Sequence, residues 1–522
     1  MEKFVARYRS LVTGVLSGFD RLVFRGTLLP LVRNGGREMY CFLEASGVRL
    51  LDFKKFVLGT TERLKEASLA EARKLDRPVR FLESSAINKE EFARRLLAEN
   101  PVEQGLICVL TALEPCMTFE YHLSKNREER GLRLRPGKCL FLYKYFLHPR
   151  FGFMHARIQT WFPFNIQICM NGREWLSRQL ARTGRSDFKR ADNCFTWLGD
   201  PRLAQRLMDA QLDTAWPRAL EAIARSLNPL HHTIFKAQPM DYYWSAYQTE
   251  WATDVMFKDP RALADVFPPL VRHAMHHFKS PDVMRFLANK APHGNFTGDL
   301  VTSFKDRPEG VRVKHWVRGN SVKMYDKAGS VLRVETTIAQ TAGFKVFRPR
   351  QDDPDGKLAW LPLRKGVADL HRRAKVVSQR SNDAYLDALA TVEDTTPCSH
   401  LFDAVSRPVV NRGRRTRAMR LGDHEDLALL EAISRGEFAT AGFRNRDIRR
   451  CLHPASANAT PRDIRRLAAR TSRRIRLLRA HGIIHKVPKT FRYRLTERGH
   501  LLTAALFATR TCNVKELLAK AA

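Results

Sequence analysis

A tyrosine, a glutamate and several cations alternate along one short segment, residues 319–338. This alternation predicts two β-strands joined by a tight turn at residues 327–329, because side chains two residues apart point to the same face of a strand. The residues that share a face are Lys323, Tyr325 and Lys327 on the first strand, and Arg333, Glu335 and Thr337 on the second. Such a set suits phosphodiester chemistry: a phenol can attack phosphorus, a carboxylate can hold a metal ion, and cations can neutralise developing charge.

A second carboxylate-bearing strand is predicted upstream, at residues 250–257, where Glu250 and Asp254 lie at even spacing. Two such strands are a common way to build a metal site from oxygen ligands, which Mg²⁺ and Mn²⁺ prefer. We therefore predict Asp254 and Glu335 as metal ligands for Mg²⁺ or Mn²⁺ if the protein is catalytic. The predicted catalytic residues are Tyr325, Glu335, Asp254 and Lys327.

The strand pair SVKMYDK and LRVETTI resembles the YDK and RVE strands of the rolling-circle replication initiators of plasmids and phages. The resemblance covers about residues 245–345. It implies a metal-dependent enzyme that cuts one DNA strand with a tyrosine, with Asp254 and Glu335 at the acidic positions and Tyr325 and Lys327 in YDK. A His-hydrophobe-His metal motif, which many single-strand nickases use, is missing from the sequence.

Several alternatives remain open at this segment. An ordinary basic hairpin also pairs Arg with Glu across strands, with a neighbouring tyrosine that only packs. A transposase-like acidic site is another reading, built from Asp254, Glu335 and a third carboxylate, Asp299 or Asp192. The nucleophile is equally open, because Tyr242, Tyr243 and Tyr247 compete with Tyr325.

The charge balance points to a polyanionic partner. The chain of 522 residues carries a formal charge of +36, and phosphate attraction of this kind is independent of sequence. Residues 401–522 contribute 27 Lys and Arg against 10 Asp and Glu, a net of +17. We expect nucleic acid as the partner, with duplex DNA favoured over RNA, and no membrane association because no apolar run is long enough to span a bilayer.

The same C-terminal region has the element order of a winged helix-turn-helix. Apolar spacing predicts helices at 425–435 and 445–452, and Thr460-Pro461 begins a third helix with a hydroxyl N-cap and a first-turn proline. Arginines cover the exposed side of this third helix, and residues 483–495 then predict a hairpin wing. The run from Leu477 to Gly499 resembles the recognition-helix-to-wing passage of MarR-like regulators, which implies a helix in the major groove and a wing on phosphates.

The nucleic-acid-binding residues predicted in this region are all basic. They are Arg412, Arg414, Arg415, Arg417, Arg462, Arg465, Arg466, Arg470, Arg473, Arg474, Lys486, Lys489, Arg492 and Arg494. A charged helical hairpin that packs against the rest of the protein is the alternative.

The predicted fold class is α/β (α+β) and multi-domain, with a mixed-sheet core, helical insertions and a C-terminal winged helix. The predicted domains are an N-terminal α/β domain at 1–130, a β-rich aromatic and basic α+β domain at 131–350, a helical connector at 351–400, a basic linker at 401–420 and the winged helix at 421–522. The 131–350 domain is the candidate catalytic core. Its basic and aromatic sheet, around Tyr143 and Arg157, either stacks exposed bases or packs in the interior.

These patterns favour a cytoplasmic DNA-processing protein of a mobile genetic element, acting by metal-assisted strand cleavage or transfer as replication initiators and transposases do. Nine cysteines without a CxxC pair fit a reducing compartment and argue against a structural zinc site. Two non-catalytic alternatives remain, a DNA-binding regulator and an RNA-binding protein that scaffolds a structured RNA.

Overall fold

The computed structural model describes most of the chain. The described residues are 1–33, 37–84, 87–123, 130–276, 278, 280–287, 300–307, 310–350, 352–353, 355–390, 398–411, 413–435, 438, 442–454, 460–487 and 490–511.

The helices and strands alternate along the chain. The strands are β1 (Val12–Thr27), β2 (Val79–Phe81), β3 (Gly105–Leu123), β4 (Arg130–His148), β5 (Gly152–Gln159), β6 (Ile166–Asn171), β7 (Phe188–Ala191), β8 (Cys194–Leu198), β9 (Tyr243–Phe257), β10 (Leu300–Arg307), β11 (Gly310–Val317), β12 (Asn320–Lys327), β13 (Val331–Ile338), β14 (Lys345–Arg348), β15 (Ala359–Pro362), β16 (Val409–Asn411), β17 (Arg414–Thr416), β18 (Ile484–Lys486) and β19 (Tyr493–Leu495). The helices are α1 (Glu2–Arg7), α2 (Leu29–Val32), α3 (Arg37–Ala45), α4 (Phe53–Lys74), α5 (Lys89–Glu99), α6 (Gly172–Arg182), α7 (Pro201–Asp209), α8 (Trp216–Leu227), α9 (His231–Ile234), α10 (Pro260–His276), α11 (Ser280–Phe286), α12 (Arg380–Leu389), α13 (Cys398–Asp403), α14 (His424–Ser434), α15 (Asn445–Leu452), α16 (Pro461–Ala480) and α17 (Glu497–Thr511), with a π-helix at Arg372–Gln379.

One large sheet dominates the molecule. It has 11 strands in the order β10-β11-β12-β13-β9-β1-β6-β5-β4-β3-β2. The β2–β3 pair is parallel and the other pairs are antiparallel, so the sheet is mixed. The predicted α/β class with a mixed-sheet core is therefore confirmed at this level. The predicted boundary at residue 130 falls at the start of β4, and strands on both sides of it belong to this one sheet.

The sheet consists of two halves with the same plan. In each half a long strand is followed by helices and then by an antiparallel meander whose last strand returns to pair with the long strand. The long strands are β1 and β9, and the returning strands are β6 and β13. Because β1 and β9 are themselves antiparallel neighbours, an approximate twofold axis passes between them. The sequence shows no repeat that would predict this arrangement.

Packing differs between the two faces of the β9–β13 half. Val322, Met324 and Val334 point to one face, where they form a core with the apolar residues of α10, α11 and α12. The intervening residues of β12 and β13, which include Lys323 and Glu335, point to the opposite face because strand side chains alternate. The polar residues of the predicted chemical segment are thus gathered on one side.

The aromatic strands β4 and β5 are interior. Tyr143, Tyr145 and Phe153 are buried against Ala93 and Leu96 of α5. Lys144 points to the other face and forms an ion pair with Glu71 of α4 at 2.5 Å. The packing alternative for this sheet is therefore confirmed.

The C-terminal elements form a separate core from β1–β15. Leu430, Ile448, Ile475, Ile483 and Leu502 belong to one apolar cluster that joins α14–α17 and β18. The hairpin β18–β19 follows α16, and Phe443 forms an isolated antiparallel bridge with Tyr493. Residues 401–420, predicted as a basic linker, include part of α13 and the hairpin β16–β17, while the connector 351–400 contains β15, the π-helix and α12.

Candidate active site

The hairpin β12–β13 has the register that its alternation predicts. Lys323 lies opposite Glu335, and Tyr325 lies opposite Arg333. Ala328 and Gly329 form the turn with φ of 56° and 77°, a left-handed conformation that glycine adopts without a steric penalty. β13 then pairs with β9, so the face that carries Glu335 is continuous with the face that carries Glu250 and Asp254.

Three carboxylates meet at the junction of the two halves of the sheet. Asp20 of β1, Glu250 of β9 and Glu335 of β13 each offer an oxygen within 4.8 Å of the others. We call this set the acidic cluster. Asp20 reaches it because β1 has a bulge between Phe19 and Arg21, and a bulge redirects the extra residue's side chain.

The electrostatics of the acidic cluster are unfavourable without a cation. Glu335 is fully buried, and its Oε1 lies 2.8 Å from Lys323 Nζ. Burial, together with the neighbouring charge of Glu335, raises the pKa of Glu250 to about 7. Gln248 donates a hydrogen bond of 2.8 Å to Glu250 Oε1, which holds this carboxylate in place. Three acids in this geometry are the oxygen donor set that suits a Mg²⁺ or Mn²⁺ ion.

Tyr325 lies directly beside the acidic cluster. Its hydroxyl donates a hydrogen bond of 3.0 Å to Glu335 Oε2. Burial, followed by the negative charge of Glu335, raises the pKa of this phenol well above its ordinary value. The phenol therefore keeps its proton at neutral pH unless a base accepts it, and Glu335 is the group in position to do so.

The other candidate tyrosines do not make this contact. The Tyr242 hydroxyl is buried and donates to the Phe164 carbonyl. Tyr243 and Tyr247 are exposed on the first half of β9. Of the four tyrosines that the sequence leaves open, Tyr325 is the one that hydrogen-bonds to the cluster.

Asp254 lies outside the acidic cluster and is enclosed by arginines. Its Oδ1 lies 2.5 Å from Arg333 Nε, and its Oδ2 lies 2.9 Å from Arg333 Nη2 and 2.8 Å from Arg173 Nη2. Burial would raise the pKa of Asp254, but the two guanidinium groups hold it below its ordinary value. Both oxygens of this predicted metal ligand thus have cationic partners within the fold.

The hairpin β7–β8 closes one side of the site. Its turn residue Asp192 forms an ion pair with Lys327, and the neighbouring Asn193 donates a hydrogen bond of 2.7 Å to Asp20 Oδ1. Arg333 contacts the same Asp20 oxygen at 3.0 Å. Lys327, predicted as catalytic, therefore lies at the rim with Asp192. Asp299, the other acid considered for a third ligand, lies outside the described residues.

The sequence pattern indicates Glu335 but not Asp20, and it places Glu250 on a strand without indicating a role for it. No local pattern marks Asp20, because its position depends on a bulge and on the pairing of β1 with β9. The even spacing of Glu250 and Asp254 was the available signal for Glu250, and it does not indicate which of the two is neutralised by arginine.

The basic residues of the C-terminal region divide into exposed and paired groups. Arg462, Arg465, Arg466, Arg473, Arg415, Lys486 and Arg494 are exposed. Arg470 and Arg474 both form ion pairs with Glu425 of α14, Arg417 makes two bonds of 2.7 Å to the buried Asp426, and Arg492 donates to the Gly442 carbonyl at 3.0 Å. Arg412 and Lys489 lie outside the described residues, as does the side chain of Arg414.

Comparisons with known proteins do not assign a function to this site. The chain matches no protein-family model, no curated protein and no solved structure. Within the part of the chain that the structure describes, no helix has the length and apolarity needed to cross a membrane.

Proposed function

We propose that this protein is a metal-dependent enzyme that cleaves or transfers strands of DNA, with the acidic cluster as its active site. The observation that carries the proposal is the convergence of Asp20, Glu250 and Glu335 within 4.8 Å, with one of them fully buried. Like charges brought together in a partly dry site repel one another. A bound divalent cation offsets that repulsion, and phosphodiester chemistry is one established use of such a carboxylate-held ion.

The surrounding residues support this chemistry. Asp20, Glu250 and Glu335 would hold Mg²⁺ or Mn²⁺, and the ion would supply charge neutralisation at the phosphate. In the proposed reaction the Tyr325 oxygen forms a bond to phosphorus and its proton passes to Glu335. The bond from phosphorus to the leaving sugar oxygen breaks, and that oxygen takes a proton from solvent. Lys323, 2.8 Å from Glu335, adds positive charge beside the reacting phosphate.

The C-terminal region provides the proposed duplex-binding module. The order α14, the Phe443 bridge, α15, α16 and the β18–β19 hairpin is the order expected of a winged helix and supports this part of the proposal. The first half of α16 carries exposed arginines at 462, 465 and 466 and little buried surface, which suits insertion into a major groove. This module would hold duplex DNA near the site.

A cleavage assay tests the proposal. Labelled single-stranded, duplex and hairpin DNA would be incubated with the full-length protein and Mn²⁺ or Mg²⁺. We expect cleavage that EDTA abolishes, and a loss of about 10³-fold or more for Glu335→Gln with binding retained. Tyr325→Phe should remove any covalent protein–DNA adduct, while Glu62→Gln, at an exposed site on α4, should behave as the wild type.

Other outcomes would favour the alternatives. Tight binding to a single duplex site with neither metal dependence nor cleavage would identify a regulator. A discrete RNA that co-purifies with the protein and resists salt would identify an RNA scaffold. Cleavage that survives Glu335→Gln at the wild-type rate would remove the acidic cluster from the mechanism.

A further inference from the structure

Arg25 of β1 is an arginine without an acid. Its Nε is buried and has no hydrogen-bond partner, and no ion pair to its guanidinium occurs among the described residues. The fully buried arginines of the same region differ, because Arg173 and Arg333 bind Asp254 and Arg373 donates to Thr249 and to backbone carbonyls. A half-buried cation without an anionic partner costs free energy, and a ligand with a negative charge can offset that cost.

Arg25 lies on the same face of the sheet as the acidic cluster. The register between β1 and β6 is unbroken from Arg21 to Gly26, so Arg21 and Arg25 point to one side. Arg21 is directly opposite Glu250. Asp20 and Arg25 are five residues apart on β1, a distance of roughly 17 Å along a strand.

An exposed aromatic ring accompanies Arg25. The guanidinium carbon lies 5.0 Å from the centre of the Tyr247 ring, and Tyr247 is 46% exposed. The other nearby cation, Arg157, already has an anionic partner, because it forms an ion pair with Glu114 at 2.8 Å. Of these two arginines, Arg25 is therefore the one that can take an external anion. Burial lowers the pKa of Arg25, against an opposing effect of Tyr247 and with a smaller lowering contribution from Arg157.

We infer that Arg25 and Tyr247 form a subsite for an unpaired DNA strand, in which Arg25 binds one backbone phosphate and Tyr247 stacks on the adjacent base. This inference rests on the proposed function and specifies its substrate. Guanidinium groups bind phosphate through paired N–H donors, and base stacking on an aromatic ring tolerates any sequence. At the ~3.4 Å rise per nucleotide of a stacked strand, the subsite lies at most about five nucleotides from the acidic cluster.

Binding of single-stranded oligonucleotides tests this subsite. Affinity would be measured by fluorescence anisotropy without metal, at several salt concentrations, for the wild type, Arg25→Gln, Tyr247→Leu and Arg261→Gln. Arg261 is an exposed arginine on α10, which covers the opposite face, so Arg261→Gln is the matched control. We expect Arg25→Gln to weaken binding about tenfold and to reduce the salt slope by about one, and Tyr247→Leu to weaken binding about tenfold with an unchanged salt slope.

A scan of the oligonucleotide with single neutral methylphosphonates first locates the contacted phosphate in the wild-type protein and is then repeated with Arg25→Gln. One position, up to about five nucleotides from the cleaved bond, should weaken wild-type binding and have no further effect on Arg25→Gln. A scan with equal small effects at every position, or the same effects in both proteins, would overturn the subsite.

The two proposals fail in different ways. If the wild type cleaves DNA and Arg25→Gln cleaves and binds it equally well, the subsite is refuted and the proposed function stands. If Arg25→Gln and the methylphosphonate scan agree but no metal-dependent cleavage occurs, the subsite stands and the catalytic proposal is refuted.

Discussion

Two groups of acids lie side by side in the central sheet, a fully buried aspartate and a partly buried cluster, and they differ in their cationic partners. Asp254 is a single carboxylate held by Arg173 and Arg333. The acidic cluster has three carboxylates. The cations beside it are Lys323, Arg21 opposite Glu250, and one nitrogen of Arg333, which is shared with Asp254, while Glu250 has no ion pair among the described residues. Burial of an acid therefore does not by itself indicate a metal site. The informative feature is a carboxylate that lacks an ion pair and lies beside other acids, as Glu250 does, since an external cation can then offset the repulsion.

The largest expected effect comes from neutralising Asp254. Asp254→Asn leaves the buried Arg173 without its anion and Arg333 with Asp20 as its remaining acid, which should lower the free energy of unfolding by about 3–5 kcal/mol. Urea unfolding of the metal-free protein would measure this. If Asp254→Asn instead folds with wild-type stability and loses only metal affinity, Asp254 belongs with the metal ligands and the contrast with the acidic cluster is refuted.

Metal binding should depend on the acidic cluster, whereas the stability of the metal-free protein should depend more on Asp254. Mn²⁺ should raise the unfolding midpoint of the wild type, because an ion that binds only the folded state stabilises it. Asp20→Asn and Glu250→Gln should each weaken Mn²⁺ binding by about 30- to 100-fold, roughly 2–3 kcal/mol, as measured by isothermal titration calorimetry. Equal Mn²⁺ affinity in all three proteins would show that the cluster holds no metal.

Without metal, the pH dependence of stability should carry the signature of Glu250. Its pKa of about 7 in the folded protein exceeds the ~4.3 of an unfolded chain, so the folded state binds the extra proton between these values. The stabilisation that comes from protonating Glu250 is fully present below about pH 4, and it is lost as the pH rises through 7. Glu250→Gln should therefore be more stable than the wild type at pH 8, by roughly 1–3 kcal/mol, and nearly equal to it at pH 4.

The control for this experiment is the metal itself. Saturating Mn²⁺ should reverse the order of stability at pH 8, because the wild type then gains the binding free energy and Glu250→Gln gains little. A Glu250→Gln variant that is less stable than the wild type at pH 8 in EDTA would mean that the carboxylate is stabilised by its neighbours rather than strained.

The local parts of the site could be predicted from the sequence. The β12–β13 hairpin follows from alternation and a glycine turn, and the helix start at Thr460 follows from its cap, since Thr460 accepts the Asp463 amide. These features depend on residues that are close in the chain. The same local logic grouped Glu335 with Tyr325, which the structure places at 3.0 Å.

The long-range parts could not be predicted. The acidic cluster needs β1 to pair with β9 and a bulge at Asp20, and neither leaves a trace in hydrophobic periodicity. Glu250 and Asp254 lie on the same face of β9, yet Asp254 contacts Arg173 of α6, an element far away in the sequence. Which acid is neutralised and which is left for a metal depends on such tertiary contacts, so the sequence pattern could not distinguish them.

Glu425 is the exposed counterpart of Asp254, and the smallest effect on stability is expected there. Like Asp254, it lies between two arginines, Arg470 and Arg474 of α16, but it is on the surface, where water screens the pairs. Glu425→Gln should change the free energy of unfolding by less than about 1 kcal/mol.

Glu425→Gln should also strengthen duplex DNA binding by a few fold at low salt if α16 is the recognition helix, because both arginines become available to phosphate. Glu431→Gln, an exposed glutamate on the same helix, is the matched control. A loss of stability as large as that of Asp254→Asn would show that arginine pairing, and not burial, sets the cost of losing an acid in this protein.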